Sequence, residues 1–203
     1  MRTDFQSMRR ALLNFLAALV LIPALSLPAA SLTKAEAESL INNLSNDILS
    51  IINSGRTEKS MFRDFEKMFA RYADVPTIAR SSLGVARRSA SASQMRAYQS
   101  AFAGYISRKY GKRFREFIGS TISVIKSRKT KRGYLVTSKV KFVGSAPFIV
   151  EWQVSDASGQ NKMFDLIIEG ISMLTLERSE IGSMLDRRGG NLNKLIADLK
   201  KAG

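Results

Sequence analysis

The hydrophobic period changes once along the chain, and that change limits the folds open to it. Residues 33–118 repeat their apolar residues at helical spacing; from Thr121 the repeat becomes two. A segment that alternates every second residue cannot bury one face as a helix, nor a 3.6-period segment as a strand. The order is therefore helices, then a sheet, then helices again, because helical spacing returns after Gly170. This predicts an α+β fold in which N-terminal helices wrap a curved antiparallel sheet of about four strands and are followed by C-terminal helices.

The first helix opens at Thr33-Lys34-Ala35-Glu36, a capping box, and carries Leu40, Ile41, Leu44, Ile48, Ile51 and Ile52 up to Gly55. A second, from about Ser60, places Phe62, Phe65, Met68, Phe69 and Tyr72 on one stripe. Asp74-Val75-Pro76 starts a short helix ending near Gly84. Ser91-Ala92-Ser93-Gln94 is a second capping box, leading into Met95, Tyr98, Phe102, Tyr105 and Ile106, with Gly111 kinking or ending the helix before Phe114 and Phe117.

Strands are expected at Thr121 to Ser127, Tyr134 to Val143, Phe148 to Ser155 and Lys162 to Glu169. The polar stretch from Arg128 to Gly133 and the loop from Asp156 to Asn161 connect them as hairpins. A helix around Glu177 to Arg188 and a last one capped by Asn191 complete the chain.

Residues 1–30 read as a cleaved signal peptide. Arg2, Arg9 and Arg10 precede an apolar run from Ala11 to Ile22, Pro23 breaks it, and small residues follow at 26–31. That run is shorter than the ~20 residues a bilayer span requires. Residues 31–203 then form a single domain. The whole chain carries 32 Lys and Arg against 17 Asp and Glu, a net +15, and removing the leader leaves +13. In an exported protein such an excess points away from nucleic acid and towards lipid headgroups, a membrane surface or an acidic protein face. The absence of Cys excludes a lipoprotein anchor and disulfides.

The lack of both His and Cys removes most nucleophilic and metal chemistry. Asp165 and Glu169, with Glu151 across from them, form the one carboxylate group worth weighing as a glycosidase pair. They read more simply as acids on a solvent face opposite Lys139 and Lys141. The stretch from Arg108 to Arg115 interleaves cations with aromatics and fits the outer face of an amphipathic helix, or a phosphate contact. The loop from Lys126 to Arg132 is an exposed turn dense enough in charge to dock a partner. No catalytic residue, metal or cofactor is expected.

The strands hold the more telling pattern. Phe148, Val150, Trp152 and Val154 share a face, as do Phe164, Leu166 and Ile168, and Tyr134, Val136, Val140 and Phe142. A sheet with one bulky apolar face can close into a solid core or leave a hollow, and periodicity does not separate the two.

The segment Met163-Phe164-Asp165-Leu166-Ile167-Ile168-Glu169-Gly170-Ile171-Ser172-Met173-Leu174, followed by Glu177-Arg178-Ser179-Glu180-Ile181, resembles the hallmark of the MlaC family. These are periplasmic phospholipid-binding, or toluene-tolerance, proteins of Gram-negative intermembrane lipid traffic. Leu83-Gly84 with Gln94, Tyr98, Phe102 and Tyr110 resembles the family's helical stretch, and Gly190 to Leu199 its last helix. The chain departs from the pattern at Val85-Ala86-Arg87-Arg88, where Trp is common, and at Glu180, where Gln is common.

The resemblance implies a soluble, monomeric periplasmic carrier. It would hold phospholipid acyl chains in an apolar cavity between sheet and helices. It would pass lipid between an inner-membrane ABC transporter complex and an outer-membrane lipoprotein complex. Exposing the ~30 methylenes of a diacyl lipid to water costs on the order of 24 kcal/mol, so a carrier must replace nearly all of that burial. The candidate lining is Phe102, Tyr105, Val140, Phe142, Trp152, Val154, Leu166, Ile168, Ile171 and Leu174. A hopanoid-membrane relative of the carrier and an exported, solid-cored protein-binding adaptor are the alternatives.

Overall fold

The computed structural model describes residues 31–112 and 117–203. The expected signal peptide and Phe114 lie outside the described residues. Helix α1 (Lys34–Ile52) starts where Thr33 and Glu36 cap one another: the Thr33 amide donates to Glu36 Oε2 at 2.8 Å and the Glu36 amide donates to Thr33 Oγ1 at 3.2 Å. It buries Ala37, Ile41, Leu44 and Ile52. Helix α2 (Glu58–Tyr72) buries Met61, Met68, Phe69 and Tyr72.

In α3 (Val75–Ser82) the Asp74 carboxylate accepts from the Thr77 amide at 3.0 Å, and Pro76 sits in the first turn, where no amide proton is needed. A 3-10 helix follows over Gly84–Arg88. Helix α4 (Ala92–Gly111) opens on the Ser91–Gln94 capping box and buries Tyr98, Phe102, Tyr105 and Ile106; it ends at Gly111.

The sheet is a five-stranded antiparallel meander in sequence order: β1 (Thr121–Thr130), β2 (Gly133–Lys141), β3 (Phe148–Ser155), β4 (Lys162–Ile168) and β5 (Ile171–Ser172). Three details differ from the sequence expectation. The β1–β2 turn shrinks to Lys131-Arg132, because β1 keeps pairing through Thr130 with Gly133. Its charged residues lie on an edge strand, where solvent meets them without a loop.

A fifth strand of two residues turns back after Glu169-Gly170, both at positive φ (48° and 81°), the backbone a tight hairpin turn requires. The third difference is a register shift between β3 and β4. It places Met163, not Phe164, opposite Val154, while Leu166 and Ile168 stay opposite Trp152 and Val150. Phe164 therefore leaves the face shared by Leu166 and Ile168, and the Arg132 guanidinium lies 4.1 Å over its ring.

Helix α5 (Met173–Asp186) starts four residues ahead of the expected Glu177, since the Ser172 hydroxyl accepts from the Thr175 amide at 3.1 Å and caps it there. Helix α6 (Leu192–Leu199) is capped by Asn191. On the sheet's inner face Tyr134, Val136, Ser138 and Val140 stand opposite Val154, Trp152, Val150 and Phe148. The helices pack against this face: α1 along β1 and β2, and α3 and α5 along β4.

Candidate functional site: an apolar cavity under the sheet

The two apolar faces do not meet everywhere. Between them lies a cavity of about 580 Å³, within the ~300–1,000 Å³ usual for small-molecule sites. The sheet supplies Val140, Phe142, Phe148, Val150, Trp152, Leu166 and Ile168. Leu44, Ile48 and Ile52 come from α1, Phe65, Met68 and Phe69 from α2, and Phe102 and Ile106 from α4. Met173, Leu174 and Leu176 are contributed by α5.

Burial falls along the inner face of β2, β3 and β4 towards one end. Val150 and Trp152 are buried and Phe148 is half-buried; Val140 is buried and Phe142 half-buried; Met163 is buried and Ile168 half-buried. The cavity thus has a closed end near Trp152 and a mouth near Phe117, Phe142, Phe148 and Leu176. Edge-to-face contacts of Phe142 with Phe117 (4.7 Å between centroids) and with Phe148 (5.0 Å) form one lip of that mouth.

Of the residues expected to line a cavity, Phe102, Val140, Phe142, Trp152, Leu166, Ile168 and Leu174 border this one. Tyr105, Val154 and Ile171 do not. Tyr105 points its hydroxyl at Glu180 Oε1, 2.7 Å away on α5. Val154 is fully buried beyond the closed end, and Ile171 is 60% exposed on β5. The α1 and α2 stripes were visible as apolar periodicity, but nothing in that pattern distinguishes a wall from packed core.

Two polar arrangements brace the walls. Asp165, expected on a solvent face, is buried instead. Its carboxylate accepts from the amides of Leu166 (2.8 Å) and Leu174 (3.0 Å), from Ser172 Oγ (2.7 Å) and from Gln153 Nε2 (3.3 Å). It ties β3, β4 and the start of α5 together, and its oxygens are occupied by donors of the fold. Glu169 is exposed and accepts from the Ile149 amide at 2.6 Å, so the two acids stand in separate surroundings, one buried and one at the surface.

The second arrangement joins α4 to α5. Lys109 Nζ donates to Glu177 Oε1 at 2.7 Å and also to Glu180 Oε2; Tyr110 donates to Glu177 Oε1 at 2.6 Å. Burial works against the charge on Lys109, yet its hydrogen bonds to both carboxylates hold it above the usual lysine range. Burial likewise opposes ionised Glu180, and the bonds from Lys109 and Tyr105 outweigh it, leaving this acid below its ordinary value. Burial first, then hydrogen bonds to the acids, pushes the Tyr105 and Tyr110 phenols well above theirs.

Trp152 Nε1 donates to the buried Ser138 Oγ at 3.0 Å, which satisfies the polar edge of an otherwise apolar wall. Among the described residues no cluster of acidic side chains is arranged to hold a metal ion, and no helix is long and apolar enough to cross a membrane.

An α+β fold with an open antiparallel sheet, hollow and apolar beneath, defines a class of protein built to enclose a hydrophobic molecule. The profile of one family, MlaC protein, matches residues 42–201, and the chain belongs to that family. Its fold is similar to that of a phospholipid-binding protein from Ralstonia solanacearum solved in complex with a phospholipid. The TM-score is 0.70 at 19% identity, covering 81% of this chain and 95% of the other.

Proposed function

We propose that the chain is a non-catalytic carrier that holds the acyl chains of a phospholipid in the cavity under the sheet and moves that lipid across the periplasm. It would be exported by the segment at 1–30 and act as a monomer formed by residues 31–203. Its lipid would pass between an inner-membrane ABC transporter complex and an outer-membrane lipoprotein complex, as membership of the MlaC family suggests. The observation that carries this reading is the cavity of about 580 Å³ walled by aliphatic and aromatic side chains.

A hollow of that size open to water at its mouth leaves its apolar walls hydrated, at a cost of about 25 cal/mol per Å² of wall. Occupancy by a hydrophobic ligand removes that cost. Acyl chains are the ligand chemistry that fits a wall with so few polar groups, and the headgroup stays at the mouth, since burying an unpaired phosphate is unfavourable.

The test is mass spectrometry after organic extraction of the gently purified protein. Stoichiometric phospholipid is expected. A preparation without lipid that also fails to take up phospholipid from detergent would refute the reading.

A further inference from the structure

The mouth has a rim of its own. Large aliphatic side chains stand exposed there: Val143 (75%), Ile118 (55%), Ile171 (60%) and Leu176 (46%). Gly119, next to Ile118, packs against Val143, since a Cβ built on it would lie 3.0 Å from Val143 Cγ2. Phe142, beside Val143, touches Phe148; the neighbouring Ile149 amide bonds Glu169, and the Glu169-Gly170 turn leads to Ile171. Leu176 itself borders the cavity. The exposed aliphatics thus follow one continuous edge, at the end of the sheet where the hollow opens.

At that edge stand Lys139 and Lys141 at the end of β2, both exposed, Lys141 next to Phe142 and Lys139 opposite Ile149. Neither has an ion-pair partner among the described residues. Of the acids nearby, Glu169 bonds the Ile149 amide and Glu177 and Glu180 bond Lys109, while Glu151, diagonal to Lys139 across the β2–β3 ladder, forms no ion pair with it among the described residues. Greasy side chains beside unpaired cations are the chemistry of an anionic bilayer interface, where aliphatics enter the headgroup–acyl boundary and lysines meet phosphates.

We propose that this rim is a bilayer-contact surface by which the protein docks, mouth first, directly on anionic lipid. The inference rests on the carrier reading and adds the route: a chain leaving the cavity passes from apolar wall to apolar rim to hydrocarbon without crossing water. Each lysine engaged at an anionic surface strengthens binding about fivefold, and that gain fades with salt.

The experiment is sedimentation of protein recovered from a periplasmic extract with vesicles of phosphatidylcholine, with and without phosphatidylglycerol. Binding to the phosphatidylglycerol vesicles that weakens with salt is expected. Ile118→Ser with Val143→Ser should weaken it at least tenfold, because both remove aliphatic surface from the bilayer contact. Lys139→Gln with Lys141→Gln should remove the preference for anionic vesicles. Both pairs are exposed and lie outside the cavity wall, so melting temperature and extracted lipid should stay as in the parent.

Failure of the parent to sediment with anionic vesicles overturns the proposal, as does binding that both double variants keep in full. Lipid extraction of the same samples separates this from the carrier reading. Extracted lipid without vesicle binding defeats only the docking surface. Vesicle binding that depends on the rim, in a protein that never holds lipid, supports the surface and defeats the carrier.

Discussion

Filling the hollow tests it more sharply than emptying its walls. Val150 is buried at the centre of the sheet, pairs with Ser138 and Ile168, and borders the cavity. Val150→Phe adds four carbons at a strand position that suits an aromatic. In a filled interior that overpacking costs about 1–3 kcal/mol. In a cavity the same carbons gain at most about 3 kcal/mol at ~0.8 per methylene-sized group, and the open mouth with lost rotamer freedom reduces the gain to about 1 kcal/mol.

The two cases differ in sign, so the answer does not hang on magnitude. Urea denaturation of lipid-stripped parent and variant is the assay, because bound ligand would add its own stabilisation. The variant should be as stable as the parent or about 1 kcal/mol more so, a rise of roughly 2–4 °C in Tm for a domain of this size. It should also retain less phospholipid per mole. A variant destabilised by 1 kcal/mol or more that carries the parent's full lipid load would show that the space under Val150 is not where the ligand sits.

Asp165→Ala removes the acceptor for four donors, two of them amides at the β4 and α5 junctions. It should cost about 3 kcal/mol or more in urea denaturation and speed hydrogen exchange at the Leu174 amide. Trp152 is the sole tryptophan and stands in the cavity wall, so phospholipid brominated along its acyl chains should quench its fluorescence, and headgroup-labelled lipid should not.

Alkaline pH should unfold the protein steeply. The folded state keeps phenol protons on Tyr98, Tyr105 and Tyr110 that the unfolded chain releases above pH 10.0. The stabilisation is complete below pH 10 and is lost as pH rises, by on the order of 1 kcal/mol per pH unit for each group. Lys109, raised above 10.5, acts in the same sense. Glu180, held below 4.5, acts at the other extreme: its contribution is present above that value and lost as pH falls through its lower folded pKa. Circular dichroism at fixed urea across pH 3–12 would follow both limbs.

Much of the architecture could be read from residues whose local chemistry admits one outcome. Both capping boxes start helices where Thr33 and Ser91 stand, and Phe148–Ser155 alternates cleanly enough to give its strand and both faces. Charge misled in two places. The run from Arg128 to Thr130 looks like a loop, yet an edge strand solvates such residues while its backbone pairs. Asp165 looks like a surface acid, because the donors that permit its burial come from β3, β5 and α5, and no local pattern announces them.

The site was half legible for a related reason. A wall and a packed core both show apolar residues at the same period, so Leu44, Ile48 and Phe65 carried no mark of their role. Val154 and Trp152, two apart on one strand, fall on opposite sides of the cavity's closed end. Only the three-dimensional gap between sheet and helices tells them apart.

The braces made by Asp165 and by Lys109 with its acids hold the frame through directional bonds, and Asp165, Lys109 and Glu177 also border the cavity. If the cavity holds acyl chains as proposed, swaps among Leu, Ile and Met along its wall should cost less than about 1.5 kcal/mol each. The few polar struts have no such latitude, since each replacement would strand partners in the dark of the interior.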